Sequence, residues 1–477
     1  MRCFFFCCLV FIASYSSAQE TWTLDSCVNY ALEKNISIQQ AKLNVDLANV
    51  TELQAIGGML PTLNAQGSHG YNWGQTIDPF TNSFATQRIQ SNSFGIATSL
   101  NLFSGFQQWN TLKQAEINKE VNRWNLEKMR NDIALNVATA YLNVVINQEV
   151  EIIAQLNLSN SQVQFERIAK LVNAGQLAEG NLNEILAQVA TDESNLTTAT
   201  NNVYLAKLSL IQLLQISSKS VDEFEVVVPN LDDLESLKMI DNVSVLVTNA
   251  LNNFPEIKSA EAALVAAEYG TKIANGSASP RLGVSYSYGT GYSGAARVIT
   301  GSPDTLAYPI GQVFGSNQLV FSFAQPVYTE DDYSTKAFSD QLRDNVNQSL
   351  FFNLTIPLFN GFSSRAQIKR AQISTLNAKY QLEQSKLTLT QSVERSYADA
   401  RAAFANYNAA KVSLDANEKA MAWAQSRFEQ GTTNSAEYND ARTRLDNARA
   451  TLLRNKYDYL FKVKILDFYM GQPINLK

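Results

Sequence analysis

Two short stretches decide the fold of this chain: LFSGF at Leu102–Phe106 and LFNGF at Leu358–Phe362. Each follows a segment in which apolar and polar residues alternate, and each precedes a long segment without glycine or proline. Alternation with a period of two is typical of a β-strand, and a long segment without breakers is typical of a helix. We therefore interpret each pentapeptide as a strand-to-helix junction. Gly105 and Gly361 are predicted to let the chain turn there.

The chain repeats one layout twice. ALEKNISIQQA, beginning at Ala31, aligns with ALNNFPEIKSA 219 positions later, whereas the two pentapeptides are 256 positions apart. One insertion of 37 residues between Pro280 and Leu358 explains both offsets. We therefore predict two structural repeats. Their predicted bounds are residues 19–217 and 241–477, with a connector at residues 218–240.

Four alternating segments predict strands with one apolar and one polar face. They are about as long as the ~9–11 residues that a tilted transmembrane strand needs, although a soluble sheet with one buried face is the alternative. Aromatic residues mark both sets of strand ends, as in the girdles of membrane barrels. These residues are Tyr71, Trp73, Tyr288 and Tyr292 at one set, and Phe103, Phe106, Phe359 and Phe362 at the other. The predicted strands are residues 61–75, 91–104, 280–292 and 346–359, with an extracellular insertion at 293–345.

Four strands cannot close a barrel, because transmembrane barrels need eight or more and lipid does not tolerate an open sheet edge. The chain must therefore pool its strands with other copies of itself. Two copies would supply eight strands and three would supply twelve.

The remaining residues predict long helices at 106–173, 177–216, 362–429 and 434–468. A helix of ~65–70 residues is on the order of 100 Å long. Gly175 and Gly431 are predicted helix C-caps at which the chain turns back, which gives two antiparallel coiled-coil hairpins. The seam positions of the second predicted helix are Leu182, Ile185, Val189, Asp192 and Leu196.

The first residues predict export. A single positive charge, a short apolar run and small residues at Ser16 and Ala18 are typical of a signal peptide at residues 1–18. The predicted mature chain keeps one cysteine, Cys27, so it has no internal disulfide. We interpret Cys27 as a small buried apolar residue of a helix.

Composition argues against several functions. The chain has 38 Lys and Arg against 44 Asp and Glu, without a basic cluster, which disfavours a nucleic-acid partner. With His69 as its one histidine, a histidine-based metal site or catalytic triad is not expected. GTGYSG at Gly289–Gly294 matches a dinucleotide fingerprint, but no helix pattern follows it, so we interpret these as loop glycines. We expect no enzyme activity, metal or cofactor.

The junction motifs, together with LVNAG and RFEQGTTNSAEYNDARTRLDNARATL at the predicted hairpin turns, resemble the TolC family of outer-membrane efflux and secretion channels. The resemblance covers essentially the whole mature chain. It implies an α+β membrane protein: a homotrimer with a twelve-stranded β-barrel in the outer membrane and an α-barrel of helical hairpins in the periplasm.

The same resemblance implies a passive exit duct of a tripartite efflux or type I secretion system. Its implied partners are a periplasmic adaptor (membrane fusion) protein and an inner-membrane pump of the RND or ABC type. The alternative is a trimeric surface adhesin or structural coiled coil without transport, which would leave the four strands unexplained.

In that family the second hairpin tip forms an iris-like periplasmic gate with acidic rings and a tyrosine–arginine network. The acidic positions fall on Glu437 and Asp440. The tyrosine position is Phe428 and the arginine position is Thr433, so the side chains that build that network are missing here. Glu437 is alternatively a helix-capping residue three positions after Asn434, and Asp440 an ordinary exposed residue. Gly175 and Gly431 mark implied adaptor contacts, or turn glycines without contact.

Overall fold

The computed structural model describes residues 21–85, 88–216, 221–228, 242–433 and 435–472. The predicted signal peptide at residues 1–18, most of the predicted connector at 218–240, and Asn434 lie outside the described residues. The chain divides into two compact units. The first lies within residues Met1–Asn49, Ile117–Val265 and Leu376–Lys477, and the second within Val50–Glu116 and Ala266–Thr375.

The described residues form helices of very different lengths, and strands that range from short pairs to long members of one sheet. The helices are α1 Leu24–Lys34, α2 Ile36–Gly57, α3 Gln107–Asn173, α4 Glu179–Leu214, α5 Val243–Asn253, α6 Pro255–Gly276, α7 Phe338–Asp344, α8 Ser363–Glu429 and α9 Ser435–Tyr469. The strands are β1 Thr21–Trp22, β2 Thr62–Asn72, β3 Thr76–Ile77, β4 Phe84–Ala85, β5 Ile89–Phe103, β6 Glu225–Val226, β7 Arg281–Ser293, β8 Arg297–Ile299, β9 Asp304–Leu306, β10 Pro309–Gln312, β11 Leu319–Phe321, β12 Gln325–Val327, β13 Tyr333–Thr335 and β14 Asn347–Thr355.

The first unit is helical, and it buries matching residues in both repeats. In the first repeat, α1 packs on α3 and α4. In the second, α5 packs on α8 and α9. The matching buried pairs are Cys27 and Leu246, Ala31 and Ala250, Ile38 and Ile257, Val137 and Val393, and Leu210 and Leu466. Because these pairs follow the two offsets in the sequence, the repeat extends to the packing of the core.

A short parallel pairing of β1 with β6 joins the start of the described chain to the residues after α4. The indole of Trp22 stacks on Phe224 with ring centroids 5.4 Å apart. The hydroxyl of Tyr141 donates a 2.5 Å hydrogen bond to the carbonyl oxygen of Val227. These contacts tie the connector region to the middle of α3.

The second unit contains a four-stranded antiparallel sheet in the order β14–β7–β5–β2. Its register places Leu63 opposite Thr98, Ile96 opposite Tyr288, and Val284 opposite Phe352. Alternation therefore puts most apolar residues of the four strands on one face. The opposite face holds Phe351, which pairs with Ser285, but is otherwise mainly polar and carries a hydrogen bond between the hydroxyls of Ser68 and Ser93. β14 ends at Thr355, two residues before Pro357, which has no N–H to donate.

The four long helices that flank this sheet attach to the same end of its strands. α2 and α6 precede β2 and β7, while α3 and α8 follow β5 and β14. The connections between β2 and β5 and between β7 and β14 lie at the other end.

The insertion in the second repeat forms a β-ribbon. Its three antiparallel pairs are β8 with β13, β9 with β12, and β10 with β11. α7 follows the ribbon and packs on β7, where Phe338 contacts Tyr292 with centroids 5.3 Å apart. The interpretation of GTGYSG as loop glycines is wrong for Gly289 and Gly291, which lie inside β7, whereas Gly294 follows the strand. The next element is the ribbon strand β8.

Among the described helices, none is both long enough and apolar enough to cross a membrane.

Candidate functional site at the tip of the second hairpin

The two hairpin turns have the same backbone structure. Gly431 has φ +72°, its N–H donates to the carbonyl of Phe428, and the N–H of Thr432 donates to the carbonyl of Arg427. Gly175 has φ +71° and the same pair of bonds at its own helix end. This is the Schellman C-cap, in which glycine takes the left-handed position. Both turns therefore use glycine for its backbone conformation, and a Cβ at either position would lie in open space.

Glu437, in the first turn of α9, is bound across the second hairpin turn. Arg427 at the end of α8 donates to Glu437 Oε1 at 2.8 Å. The hydroxyl of Thr433 donates to Glu437 Oε2. Thr433 thus occupies the implied arginine position but holds Glu437 through a hydroxyl. The positive charge comes from Arg427, which sequence reasoning did not single out.

Asp440 lies one turn further along α9 and pairs with Arg444 at 2.8 Å. Both side chains are more than half exposed, so the pair is an ordinary surface ion pair worth about 0–1 kcal/mol. Each predicted acidic residue of the tip therefore has an arginine partner in the same chain.

Phe428, at the implied tyrosine position, stacks on Tyr438 with ring centroids 5.0 Å apart and planes inclined by 28°. Tyr438 is buried, and burial raises the pKa of its hydroxyl. The contact between the two helices at this level is consequently a pair of packed rings.

Arg442, on α9, joins the second hairpin to the first. Its Nη2 lies 3.6 Å from Asp192 of α4 and donates to the carbonyl oxygen of Asn157 of α3. Its Nε lies 3.8 Å from Asp446. Gln188 donates to the other oxygen of Asp192 at 2.9 Å. Arg442 and Asp192 are both buried, so the two hairpins share a buried ionic cluster.

A cavity of about 340 Å³ lies beside this cluster, and Asp192, Asp446 and Asn157 are among its lining residues. Burial raises the pKa of Asp446, an effect that Arg442 and Arg449 oppose and that the charge of Asp192 reinforces. The cluster therefore contains one acidic group whose ionisation is disfavoured by its surroundings.

A signal for this cluster was present in the sequence. Asp192 occupies a seam position where the neighbouring seam residues are apolar. A carboxylate in such a position needs a buried cationic partner, although the sequence alone does not say which one. Tyr438, Arg427 and Arg444 carry no comparable signal, because many helix positions hold such residues.

The two strand-to-helix junctions also share one geometry. Gly105 and Phe106 have φ +62° and +60°, and Gly361 and Phe362 have φ +61° and +65°. Positive φ is rare for a bulky residue. Each phenylalanine lies edge-on to the one three positions earlier, at 5.4 Å and 86° in the first repeat and 5.5 Å and 86° in the second. The repeated pentapeptide therefore encodes a repeated backbone turn.

Gly105 and Gly361 differ in their surroundings. A Cβ on Gly105 would lie 2.5 Å from the Cβ of Ser279 and 2.7 Å from the carbonyl oxygen of Gly276. A Cβ on Gly361 would meet nothing within 4 Å. The first junction thus packs tightly inside the chain, and the second presents an open surface.

In the described part of the chain, no group of three or more His, Cys, Asp or Glu side chains is placed to hold a metal ion.

Comparison with known proteins gives a consistent result. A family model described as "Outer membrane efflux protein" matches residues 27–214 and 246–472. The outer membrane protein TolC of Escherichia coli (strain K12) is 23% identical over 452 residues, which cover 94% of this chain and 82% of TolC.

Solved channel structures have the same fold. The outer membrane channel CmeC of Campylobacter jejuni superposes with a TM-score of 0.73 at 16% identity, covering 95% of this chain and 87% of CmeC. VceC of Vibrio cholerae superposes with a TM-score of 0.72 at 16% identity, covering 95% and 97%. The fold class expected from the sequence is thereby confirmed.

Proposed function

Because the chain belongs to the outer membrane efflux protein family, we propose that the tip of its second hairpin is the periplasmic gate of a trimeric exit duct. The family provides the frame: a homotrimeric channel in the outer membrane that extends into the periplasm and works with an adaptor protein and an inner-membrane pump. The family is a channel family, and we further infer that this chain has no enzymatic activity of its own.

The internal repeat supports a closed ring of chains. Gly276 and Gly57 are equivalent residues of the two repeats, as are Gly105 and Gly361. Within one protomer Gly105 packs against Gly276, whereas Gly361 and Gly57 both face open space. Head-to-tail association of identical chains would cover Gly361 of one chain with Gly57 of the next, so that neither position stays open. Gly361 of each protomer then packs on Gly57 of the partner subunit.

The gate proposal rests on one observation, the placement of Glu437 against the turn at Gly431. Arg427 and Thr433 hold the carboxylate at the extreme tip of the hairpin. Three copies around an axis would bring three such glutamates to one constriction, with Asp440 one turn behind. Rings of acidic side chains favour cations, and rings of basic ones favour anions.

The arginine partners of the two acidic residues should weaken this preference for cations. The positive charge of Arg427 balances the negative charge of Glu437, and that of Arg444 balances Asp440, so the native gate should prefer cations only weakly. Replacing the two acids by Glu437→Gln and Asp440→Asn leaves the arginines uncompensated and should shift selectivity toward anions. Arg427→Gln should shift it in the opposite direction.

Reversal potentials in planar bilayers under a salt gradient measure this selectivity. Glu418→Gln is the matched control, because Glu418 pairs with Arg449 between the same two helices but further from the turn. It should leave selectivity unchanged. Unchanged reversal potentials in both tip variants would overturn the proposal.

A further inference from the structure

The far end of the β-ribbon is exposed and uncharged. We call residues 308–323, which contain β10 and β11, the ribbon tip. No Asp, Glu, Lys, Arg or His occurs from Thr305 to Thr329. Phe314 and Phe323 are almost fully exposed, and Ile310 is 68% exposed. The exposed large apolar side chains of the ribbon tip are Tyr308, Ile310, Val313, Phe314, Leu319, Val320, Phe321 and Phe323.

Such a surface needs a partner. An isolated two-stranded hairpin is at best marginally stable in water. In the described part of the chain, β10 and β11 pair only with each other, so both outer edges of the ribbon tip are open. A contiguous exposed apolar patch usually marks an interaction site.

The base of the ribbon, in contrast, is firmly held. Gln341 of α7 is 1% exposed, and its side chain both accepts from the N–H and donates to the carbonyl of Ser293. The hydroxyl of Ser293 donates to Asp78 at 2.5 Å. Asp78 also accepts from the N–H groups of Phe80 and Thr81. The ribbon therefore leaves the sheet from a fixed base.

The position of that base points to the partner. The ribbon lies between β7 and β14, and β14 is an edge strand of the sheet. In the trimer this edge meets the sheet of the neighbouring protomer, so each ribbon rises beside a subunit boundary. It also rises from the strand ends opposite the long helices α2, α3, α6 and α8, which in an outer-membrane channel with periplasmic helices face the cell exterior.

We propose that the three ribbon tips of one trimer pack against one another and cover the outer mouth of the channel. Identical surfaces that meet at a symmetry axis place each charge against its copies, and like charges repel. An uncharged tip avoids that repulsion. An anionic lipid surface would instead require Lys or Arg, and the ribbon tip has neither.

The dimensions permit this contact. One arm of the ribbon, from Arg297 to Gln312, can extend roughly 50 Å. A barrel of twelve tilted strands is roughly 25 Å across. The ribbons are therefore long enough to reach one another above the mouth. The charged residues Glu330, Asp331 and Asp332 belong to the returning arm near the base.

Cysteine cross-linking in intact outer membranes tests the proposal, which rests on the trimeric channel proposed above. In a Phe314→Cys variant, oxidation should join up to about two-thirds of the chains as dimers, because one disulfide can link two of three tips. Ser334→Cys, on an exposed residue of β13 at the ribbon base, is the matched control and should stay monomeric on denaturing gels. Native Cys27 is buried, and burial raises its pKa to about 12, so it should remain silent.

Conductance gives a second readout. Replacing residues 308–323 by two glycines, or the milder pair Phe314→Ser and Phe323→Ser, should raise single-channel conductance. A trimer that conducts equally with and without the tip, and does not cross-link through position 314, would overturn this inference alone. Cross-linking of position 314 to another outer-membrane protein would also overturn it. A native chain that forms neither trimers nor channels would overturn the proposed function instead.

Discussion

Arg442 and Asp192 form an ion pair of 3.6 Å between helices of different repeats, and both side chains are more than nine-tenths buried. A buried pair of this kind is not a strong source of stability, because both charges lose their hydration. Breaking it by removing one partner is costly, since the remaining charge stays buried and unpaired. The pair therefore favours one arrangement of the two hairpins over others.

Asp192→Asn should destabilise this arrangement of the two hairpins. Removing one partner of a buried pair costs on the order of 3 kcal/mol, although Asp446 and the carbonyl of Asn157 still contact Arg442. We therefore expect the free energy of unfolding of the helical unit to fall by at least about 1 kcal/mol, measured by denaturant unfolding of the purified protein. Arg444→Gln, which breaks an exposed pair on the same helix, should change little. Equal responses of the two variants would contradict the role given to the buried pair.

Asp446 should make the stability of the helical unit depend on pH. Burial raises its folded-state pKa above the unfolded value of about 3.8. Its carboxyl therefore favours the folded state most when protonated, and this contribution is lost as the pH rises through the raised pKa. Asp446→Asn removes the dependence. The melting temperature of the native chain minus that of the variant should increase as the pH falls from 7 toward 4, and a constant difference would contradict the prediction.

The proposed contact between protomers, at Gly361 of one chain and Gly57 of the next, can be tested by cross-linking. We call this contact the seam, and the residues to link are the equivalents of a pair that is in contact within one chain. Within one chain the side chain of Gln107 donates to the carbonyl of Ile273 at 3.0 Å. The corresponding positions across the seam are Ser363 and Gln54 of the partner subunit. A chain with both Ser363→Cys and Gln54→Cys should therefore cross-link into covalent dimers and trimers on treatment with a short bis-maleimide. Each single variant is a control and should remain monomeric on denaturing gels; a monomeric double variant would rule out this seam.

The junction glycines should respond differently to alanine. Gly105→Ala places a Cβ 2.5 Å from Ser279, so it should lower the yield of folded chain. Gly361→Ala should cost about 1–2 kcal/mol of folding free energy, because alanine disfavours a left-handed backbone conformation. Its Cβ would meet no other atom within 4 Å in the same protomer. Because the proposed ring places Gly361 against the partner subunit, its variant should fold but lose trimers on semi-native gels.

Gly175→Ala is the control for that comparison. Gly175 has a similar φ and equally open surroundings, but it lies at a hairpin turn. Its trimer content should match that of the native chain. Similar trimer loss at positions 175 and 361 would show that backbone strain alone explains the effect.

The sequence predicts most of the strands and long helices, but it does not predict the ionic contacts between the hairpins. Alternation in the four strands depends only on which face each residue occupies, and the observed register gathers Leu63, Ile96 and Val284 on one face. The predicted helices 106–173 and 362–429 correspond to Gln107–Asn173 and Ser363–Glu429 in the structure. Periodicity is a local property, so it can be read without knowledge of neighbours.

Contacts between hairpins depend on how helices are placed and rotated in three dimensions. Arg442 is 250 positions from Asp192, and nothing local distinguishes it from Arg444, which points to an exposed partner. The β-ribbon was likewise identified only as an insertion. Its strands are three or four residues long, too short for alternation to predict them.

The two junctions have matching backbone angles and ring geometry, although the second repeat contains an insertion of 37 residues that the first repeat lacks. The added residues lie beyond the opposite ends of the same strands. The connections at those strand ends can therefore lengthen, shorten or change their composition without altering the turns from which the long helices start. The ribbon is therefore a position at which foreign peptides can be inserted while both turns keep their geometry.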